Sequence, residues 1–434
     1  MRFLILLIAA AVFAGPKRCL AEDLLQVYAQ ARAADPLLAS ADAARGVQRE
    51  LAVQARAGLL PQWSLNATEA RAQQDGGRQH QLTSNLTSNV SQVLIDLGQL
   101  RSWDAARTLL SAQDARVRAA EQDLCARVAS AYFGVLSAQA ALLTTQANED
   151  AFSQQVAQAQ SRFELGLSAA VDVDQARAFY QLARGSTVQA QQALADAREA
   201  LAQITGRSAG ALKPLADALP GLPPQPADAQ AWVAQALQAN PLLQAQRLGL
   251  NASEQRIAAA RAAHWPTLSL GLDSAHLRGT GVAPAEAGRT NTQVALRLNI
   301  PLFAGGATES LSRQAVYQRD ATREQLEITQ RALVRETQAQ YLAVLAGVAL
   351  MQSGREAVAA SSRMLASTRA GQPLGTRTMT DLLQAIQTQA AAQNAHEQAR
   401  HRYVLATLLL QQAAGSLGEA ELAAVNLLLK DFSL

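Results

Sequence analysis

The stretch Asn291 to Leu302, NTQVALRLNIPL, restricts the fold more than any other. Val294, Leu296, Leu298, Ile300 and Leu302 are apolar, while Asn291, Gln293, Arg297 and Asn299 between them are polar. Such alternation makes a strand with one greasy face and one wet face. Three further stretches read the same way, at about 62–71, 81–94 and 267–277. Alternating strands of about 10 residues are what a membrane barrel requires, with lipid on one side and water on the other. Four strands cannot close a barrel, since the smallest have about eight. If these four cross a membrane, several copies of the chain share one wall.

Strand quality is uneven. Trp63, Leu65 and Ala67 are followed on the same face by Glu69, and Leu82, Leu86 and Val90 share theirs with Ser84 and Ser88. For those two strands, ordinary surface strands packed on a helix remain an alternative. The later pair, Leu268-Leu270-Leu272 and Val294 to Leu302, is cleaner. On this phase Arg297 lies on the wet face and is expected to tolerate Glu, whereas Leu298→Arg is expected to block insertion.

Self-comparison shows a duplication. Ala29 to Leu38, AQARAADPLL, returns as Ala234 to Leu243, AQALQANPLL, and the helix after each copy stops at a proline, Leu60-Pro61 and Trp265-Pro266. The residue before proline leaves the helical region, so an extended segment can begin there. Gly166, Asp172, Gln175, Ala176 and Gly206 then match Gly375, Asp381, Gln384, Ala385 and Gly415. The expected layout is a first repeat over 22–206 and a second over 228–415. Each is a helix, two strands and a long helical hairpin, at about 98–205 with a tip at 165–172 and at about 306–414 with a tip at 374–381. The first helix of each hairpin has about 70 residues, or roughly 100 Å at 1.5 Å per residue. Helices this long persist by laying an apolar seam against a neighbour. Residues 207–227, with five prolines from Pro214 to Pro226, join the repeats, and 416–434 form a tail; both are expected to wrap the outside of the bundle. The polar, glycine-bearing loops Gln73 to His80 and Arg278 to Gly288 suit strand connections that face the cell exterior.

Residues 1–21 combine Arg2, an apolar run from Phe3 to Phe13 and a small residue, Ala21, before Glu22, the pattern of a cleaved secretory signal. Cys19 follows Pro16, Lys17 and Arg18, unlike a lipoprotein signal. Cleavage removes Arg2, Lys17 and Arg18 and no acid, taking the formal charge from +3 to zero, so nucleic acid is not an indicated partner. Only Cys125 then remains, expected as a small packing residue rather than half of a disulfide. No later stretch reads as the roughly 20 apolar residues of a membrane helix.

The segment Leu374 to Asp381, LGTRTMTD, with Leu382-Leu383-Gln384-Ala385 after it, resembles a helical-hairpin tip of the TolC family of outer-membrane export ducts. Leu165-Gly166-Leu167-Ser168 followed by Asp172-Val173 resembles that family's other tip. With the duplication, the signal and the strand pairs, the resemblance covers essentially the whole mature chain. It implies a mainly α protein with membrane β, a homotrimer whose twelve-stranded outer-membrane β-barrel continues as a periplasmic α-helical barrel. The function implied is a passive exit duct for efflux of small molecules or type I secretion of proteins, gated at the tips. The implied partners are outer-membrane lipid, a periplasmic adaptor (membrane fusion) protein and an inner-membrane transporter of ABC, RND or MFS type, in a Gram-negative bacterium. It implies no cofactor.

The resemblance also assigns tip residues. Asp381 would form a cation-attracting ring, while the acid the family often carries one turn on is Gln384 here. Arg377 and Asp172 stand where the family links neighbouring helices to hold the entrance shut, with Gln372 in place of a tyrosine of that lock. Gly166, Leu167, Ser168, Gly375 and Thr376 would meet the adaptor. Simple helix punctuation competes with these roles: glycine suits a left-handed cap and aspartate the start of a helix.

No catalytic set emerges. His396 and His401, the two histidines closest in sequence, are five residues apart, roughly 140° around a helix. No phosphate loop, dinucleotide fingerprint, nucleophile elbow or zinc motif is found, so an enzyme is not expected. The alternative to a duct is a periplasmic coiled coil of structural or adaptor type, for which the apolar alternation would have to fail in all four strands.

Overall fold

The computed structural model describes residues 21–73, 80–279 and 288–430. The signal segment, Cys19 and most of both strand connections lie outside these residues. In chain order the elements are α1 (Leu24–Ala34), α2 (Pro36–Ala57), β1 (Gln62–Gln73), β2 (His80–Ile95), α3 (Leu97–Glu164), α4 (Ala170–Thr205), α5 (Ala229–Ala239), α6 (Pro241–Ala262), β3 (Thr267–Gly279), β4 (Thr290–Asn299), α7 (Ala307–Gly371), α8 (Met379–Ala413) and α9 (Glu419–Asn426). Two compact units arise, one holding residues 40–119 and 241–332 and the other the described remainder.

The first unit contains a single antiparallel sheet in the order β1-β2-β3-β4. β4 leaves the ladder at Asn299, ahead of Pro301, whose missing N–H could not continue the pairing. Among the described residues β1 and β4 are free edges.

In the second unit the sequence breaks helices where it must turn. Asp35 closes α1 and, through its carboxylate accepting from the Leu38 N–H at 2.9 Å, opens α2 at Pro36, where no N–H is needed. That carboxylate, 3% exposed, also takes a two-pronged bond from Arg127 of α3 at 3.1 and 2.8 Å. The core around it joins Leu24, Val27 and Ala31 of α1 to Leu124, Val128 and Tyr132 of α3 and to Leu201, Val404 and Leu408. α7 lies close on α8 through glycines at heptad spacing: a Cβ on Gly347 would stand 3.1 Å from the Tyr403 Cβ, and one on Gly354 would stand 3.0 Å from the His396 Nδ1. Small residues opposite large ones are how long helices with few bulky side chains still pack without voids.

The proline-rich joint is mostly exposed but anchored at particular residues. Leu212 and Leu215 are buried, and the joint bridges Glu22 on one side and Leu429 of the tail on the other. Its backbone is held by side chains: the Tyr132 hydroxyl donates to the Lys213 carbonyl, Arg400 to the Ala216 carbonyl, and Tyr403 to the Leu222 carbonyl. An extended segment without a ladder of its own needs such partners once its carbonyls leave water.

α3 and α7 each contain an 18-residue window, of mean hydropathy 1.3 and 1.2, long and apolar enough by composition to cross a membrane, where none was expected. Both helices, at 68 and 65 residues, run far past the roughly 20 residues of a span.

Candidate functional site

Two places carry the chemistry, the faces of the sheet and the hairpin tips. In the sheet, register puts the alternating residues of all four strands in phase. Trp63 faces Val90, Val90 faces Leu272 and Leu272 faces Val294, while Leu270 faces Leu296 and Leu268 faces Leu298. The greasy face is open in the single chain, with Val294, Leu296 and Leu298 at 62% exposure or more. Ser88, which interrupts it, accepts a hydrogen bond from the Trp63 indole N–H at 2.9 Å, so its hydroxyl is not left bare. Trp63, Trp265 and Phe303 are exposed and gather where strands meet helices, the position of an interfacial aromatic belt.

The apolar triplets are offset across the ladder, with the step between β2 and β3, since those of β3 and β4 are centred in one row where Leu270 faces Leu296. Leu65, the middle of its triplet on β1, lies in one row with Ser88, Ser274 and Thr292, yet the triplet of β4 is centred on Leu296, four residues further on. Averaged from β1 to β4, four residues at about 3.4 Å against three strand gaps of about 4.8 Å give a mean slant of roughly 43°. That lies within the tilt of about 35–45° that strands of a membrane barrel adopt. The other face carries Ser64, Asn66, Asn89, Ser91, Ser269, Gln293 and Arg297. There Arg297 donates to Asp273 at 2.7 Å, and Asn89 donates to the other oxygen of Asp273 at 3.2 Å.

At the tips both long helices end alike. The Leu167 N–H bonds the Arg162 carbonyl and the Gly166 N–H that of Phe163; in the second hairpin Thr376 bonds Gly371 and Gly375 bonds Gln372. Gly166 and Gly375 hold φ of 72° and 71°, the left-handed cap that glycine alone adopts without strain. Leu165, Leu167 and Leu374 stand out into solvent at 66% exposure or more. Ser168 is half-buried, and Thr376 turns its hydroxyl to the Gly371 carbonyl at 3.0 Å.

The two aspartates differ. Asp381 closes a capping box: its N–H donates to the Thr378 hydroxyl at 3.1 Å and its carboxylate accepts from the Thr378 N–H at 2.9 Å. The Thr378 N–H, then the Thr378 hydroxyl, holds this exposed carboxyl below the usual range. Asp172 sits in the first turn of α4, whose cap residue is Ala169 and makes no side-chain bond. Among the described residues no ion pair joins Arg377 to Asp172 within one chain, and Gln372 is buried in the closing turn. At the tips a side-chain bond ties the hairpins, Thr380 of α8 donating to Gln175 of α4 at 2.8 Å. Beneath it Phe152, Val173, Ala176, Leu365, Met379, Leu382 and Ile386 form a core of their own.

Reading the sequence alone passed over Thr380, Asp273 and Asn89, and took Gln175 only as a mark of the duplication. For Asp273 there was a signal, an acid in phase with Gly271 and Ser269 on the wet side of its strand; Thr380 had none, since polar residues near helix starts are common.

The profile described as outer membrane efflux protein matches residues 27–207 and 232–416. The chain is 31% identical to the outer membrane protein TolC of Vibrio cholerae over 434 residues, covering 99% of both chains. It is 27% identical to the alkaline protease secretion protein AprF of Pseudomonas aeruginosa, over 93% of this chain and 86% of that one. Among solved structures, CusC, whose description concerns folding and transmembrane channel formation, aligns with a TM-score of 0.81 at 19% identity over 91% of this chain and 92% of that one.

Proposed function

The chain belongs to the outer membrane efflux protein family, and from that premise we propose that it works as a homotrimer in which three four-stranded sheets close one wall of twelve strands. The protein is an outer-membrane exit duct for efflux and type I secretion, with the family and fold of channel proteins. The observation that carries the trimer is the sheet itself, with one apolar face open and two free edges. Unpaired backbone groups cost several kcal/mol each in lipid, so β4 of one copy pairs with β1 of the next, a head-to-tail contact that closes into a ring.

Within that assembly Asp381, Arg377 and Asp172 form the periplasmic gate. Arg377 and Asp172, unpaired with each other in one chain, would meet between copies. Three Asp381 carboxylates, kept ionised by their capping boxes, attract cations at the narrow axis. Gly166, Leu167, Ser168, Gly375 and Thr376 offer an adaptor protein a rigid turn with exposed leucines beside it, and an inner-membrane transporter of ABC, RND or MFS type supplies the energy. The chain is laid out as two repeats, 22–206 and 228–415, joined by 207–227 and followed by a tail. The coiled-coil alternative needs the apolar alternation to fail in all four strands; the shared phase from Trp63 to Val294 opposes it.

Light scattering on the detergent-solubilised protein, with detergent subtracted, tests the assembly: three chains per particle are expected, and a monomer overturns it. In planar bilayers Asp381→Asn should lower cation selectivity, and an unchanged single-channel record removes Asp381 from the pore.

A further inference from the structure

Arg297 stands opposite Ser269 in the ladder, yet its guanidinium reaches Asp273, four residues along β3, where Nη2 donates to Oδ2 at 2.7 Å. On the way it lies over Gly271: a Cβ there would meet Nη1 at 2.9 Å and Cζ at 3.3 Å. Gly271 is not among the residues with a left-handed backbone, so the site uses its missing side chain and not its φ. Glycine inside a strand weakens it, and close approach of another group is one of the reasons a strand keeps one. Asp273 is held from the far side by Asn89 of β2. Three strands thus build one network, with the arginine stretched along the wall.

We propose that Gly271, Asp273 and Asn89 keep Arg297 flat and neutralised against the wall, which makes this level of the lumen indifferent to the charge of its cargo. Gly271 supplies the floor, Asp273 cancels the charge, and Asn89 keeps Asp273 turned toward the guanidinium. Without them, symmetry would place three unpaired arginines around the channel and bias it toward anions. The inference rests on the duct reading and on the sheet phase described above.

The test uses full-length protein in outer-membrane vesicles, with Ala295→Cys on the wet face opposite Gly271 or Leu296→Cys on the apolar face. The native Cys125 is buried and gives little background. Each variant is reacted with a cationic and an anionic methanethiosulfonate of similar size. Ala295→Cys should react and Leu296→Cys should stay protected. Adding Asp273→Asn to Ala295→Cys should speed the anionic reagent and slow the cationic one about threefold each, the effect of one unit charge about 7 Å away in water. Gly271→Val, which lifts the guanidinium off the wall, should shift the ratio the same way. An unchanged ratio in both backgrounds, with Leu296→Cys still protected, overturns the neutralised wall and leaves the duct standing. Leu296→Cys reacting as fast as Ala295→Cys overturns the strand phase and this inference with it.

Discussion

Placing an arginine at successive positions of β4 measures how deep each one lies. A residue four positions along β4 from the ladder row of a β1 residue lies at the same membrane level, given the slant of the band. Trp63 shares a row with Val294, so its level on β4 is that of Leu298, near the aromatic belt. Leu296 is closer to the middle of the band. Arginine on the lipid face costs about 2–4 kcal/mol at the midplane and about 0–1 near an interface. Leu296→Arg should therefore lower the folding equilibrium in vesicles by roughly 30- to 1000-fold per chain at about 1.4 kcal/mol per tenfold. Leu298→Arg should lower it less than about tenfold, a milder effect than the blocked insertion expected from strand phase alone. Ala295→Arg, on the wet face, should cost little. Arg297→Glu is no longer a neutral control, because it sets a second carboxylate against Asp273; Arg297→Gln replaces it. Urea titration of folding into lipid vesicles, read by tryptophan fluorescence and by heat-modified mobility, gives each value. Equal costs at Ala295 and Leu296, or a greater cost at Leu298 than at Leu296, would refute the phase and the slant.

Three further outcomes concern the helical unit. Asp35→Asn keeps the cap on α2 but removes the charge facing Arg127; since Arg127 is a quarter exposed and retains Asp123, the loss should be about 1–3 kcal/mol by urea denaturation in detergent, below that of a fully buried pair. The Arg127 side-chain bonds hold the Asp35 carboxyl below its ordinary value, so its stabilisation is complete above the unfolded-state pKa and disappears as pH falls through the folded one; the mutant should lack that acid-side loss. Burial pushes His401, whose Nδ1 lies 2.9 Å from the Ser137 hydroxyl, down to about 4. The unfolded chain takes up this proton first, so stability should fall by about 3 kcal/mol between pH 6.5 and 4, and His401→Gln should flatten that part of the pH profile. Gly347→Val drives a branched side chain at the Tyr403 backbone and Cβ and should cost about 1–3 kcal/mol in thermal or urea unfolding, whereas Gly185→Ala, with open space around it, should be neutral or stabilising.

What the sequence determined by itself is local and periodic. Alternation from Val294 to Leu302 set which side chains share a face, because successive residues of a strand point to opposite sides whatever the strand pairs with. Pro61 and Pro266 ended their helices, and Gly166 and Gly375 turned the tips, because these residues restrict or free their own backbone. The tertiary structure decided everything that depends on which strand or helix lies alongside. Ladder register offset the apolar triplets of β1 and β4 by four residues and stretched Arg297 across Gly271 to Asp273; a shift of two residues would keep every face and break that contact. Asp35 and Arg127, 92 residues apart, could not be paired from composition or spacing, since one carboxylate among many carries no mark of its partner. The same holds for the proline-rich joint: its prolines excluded helix and strand, but only the arrival of Tyr132 from α3 and of Arg400 and Tyr403 from α8 supplied donors for its carbonyls and fixed it against the bundle.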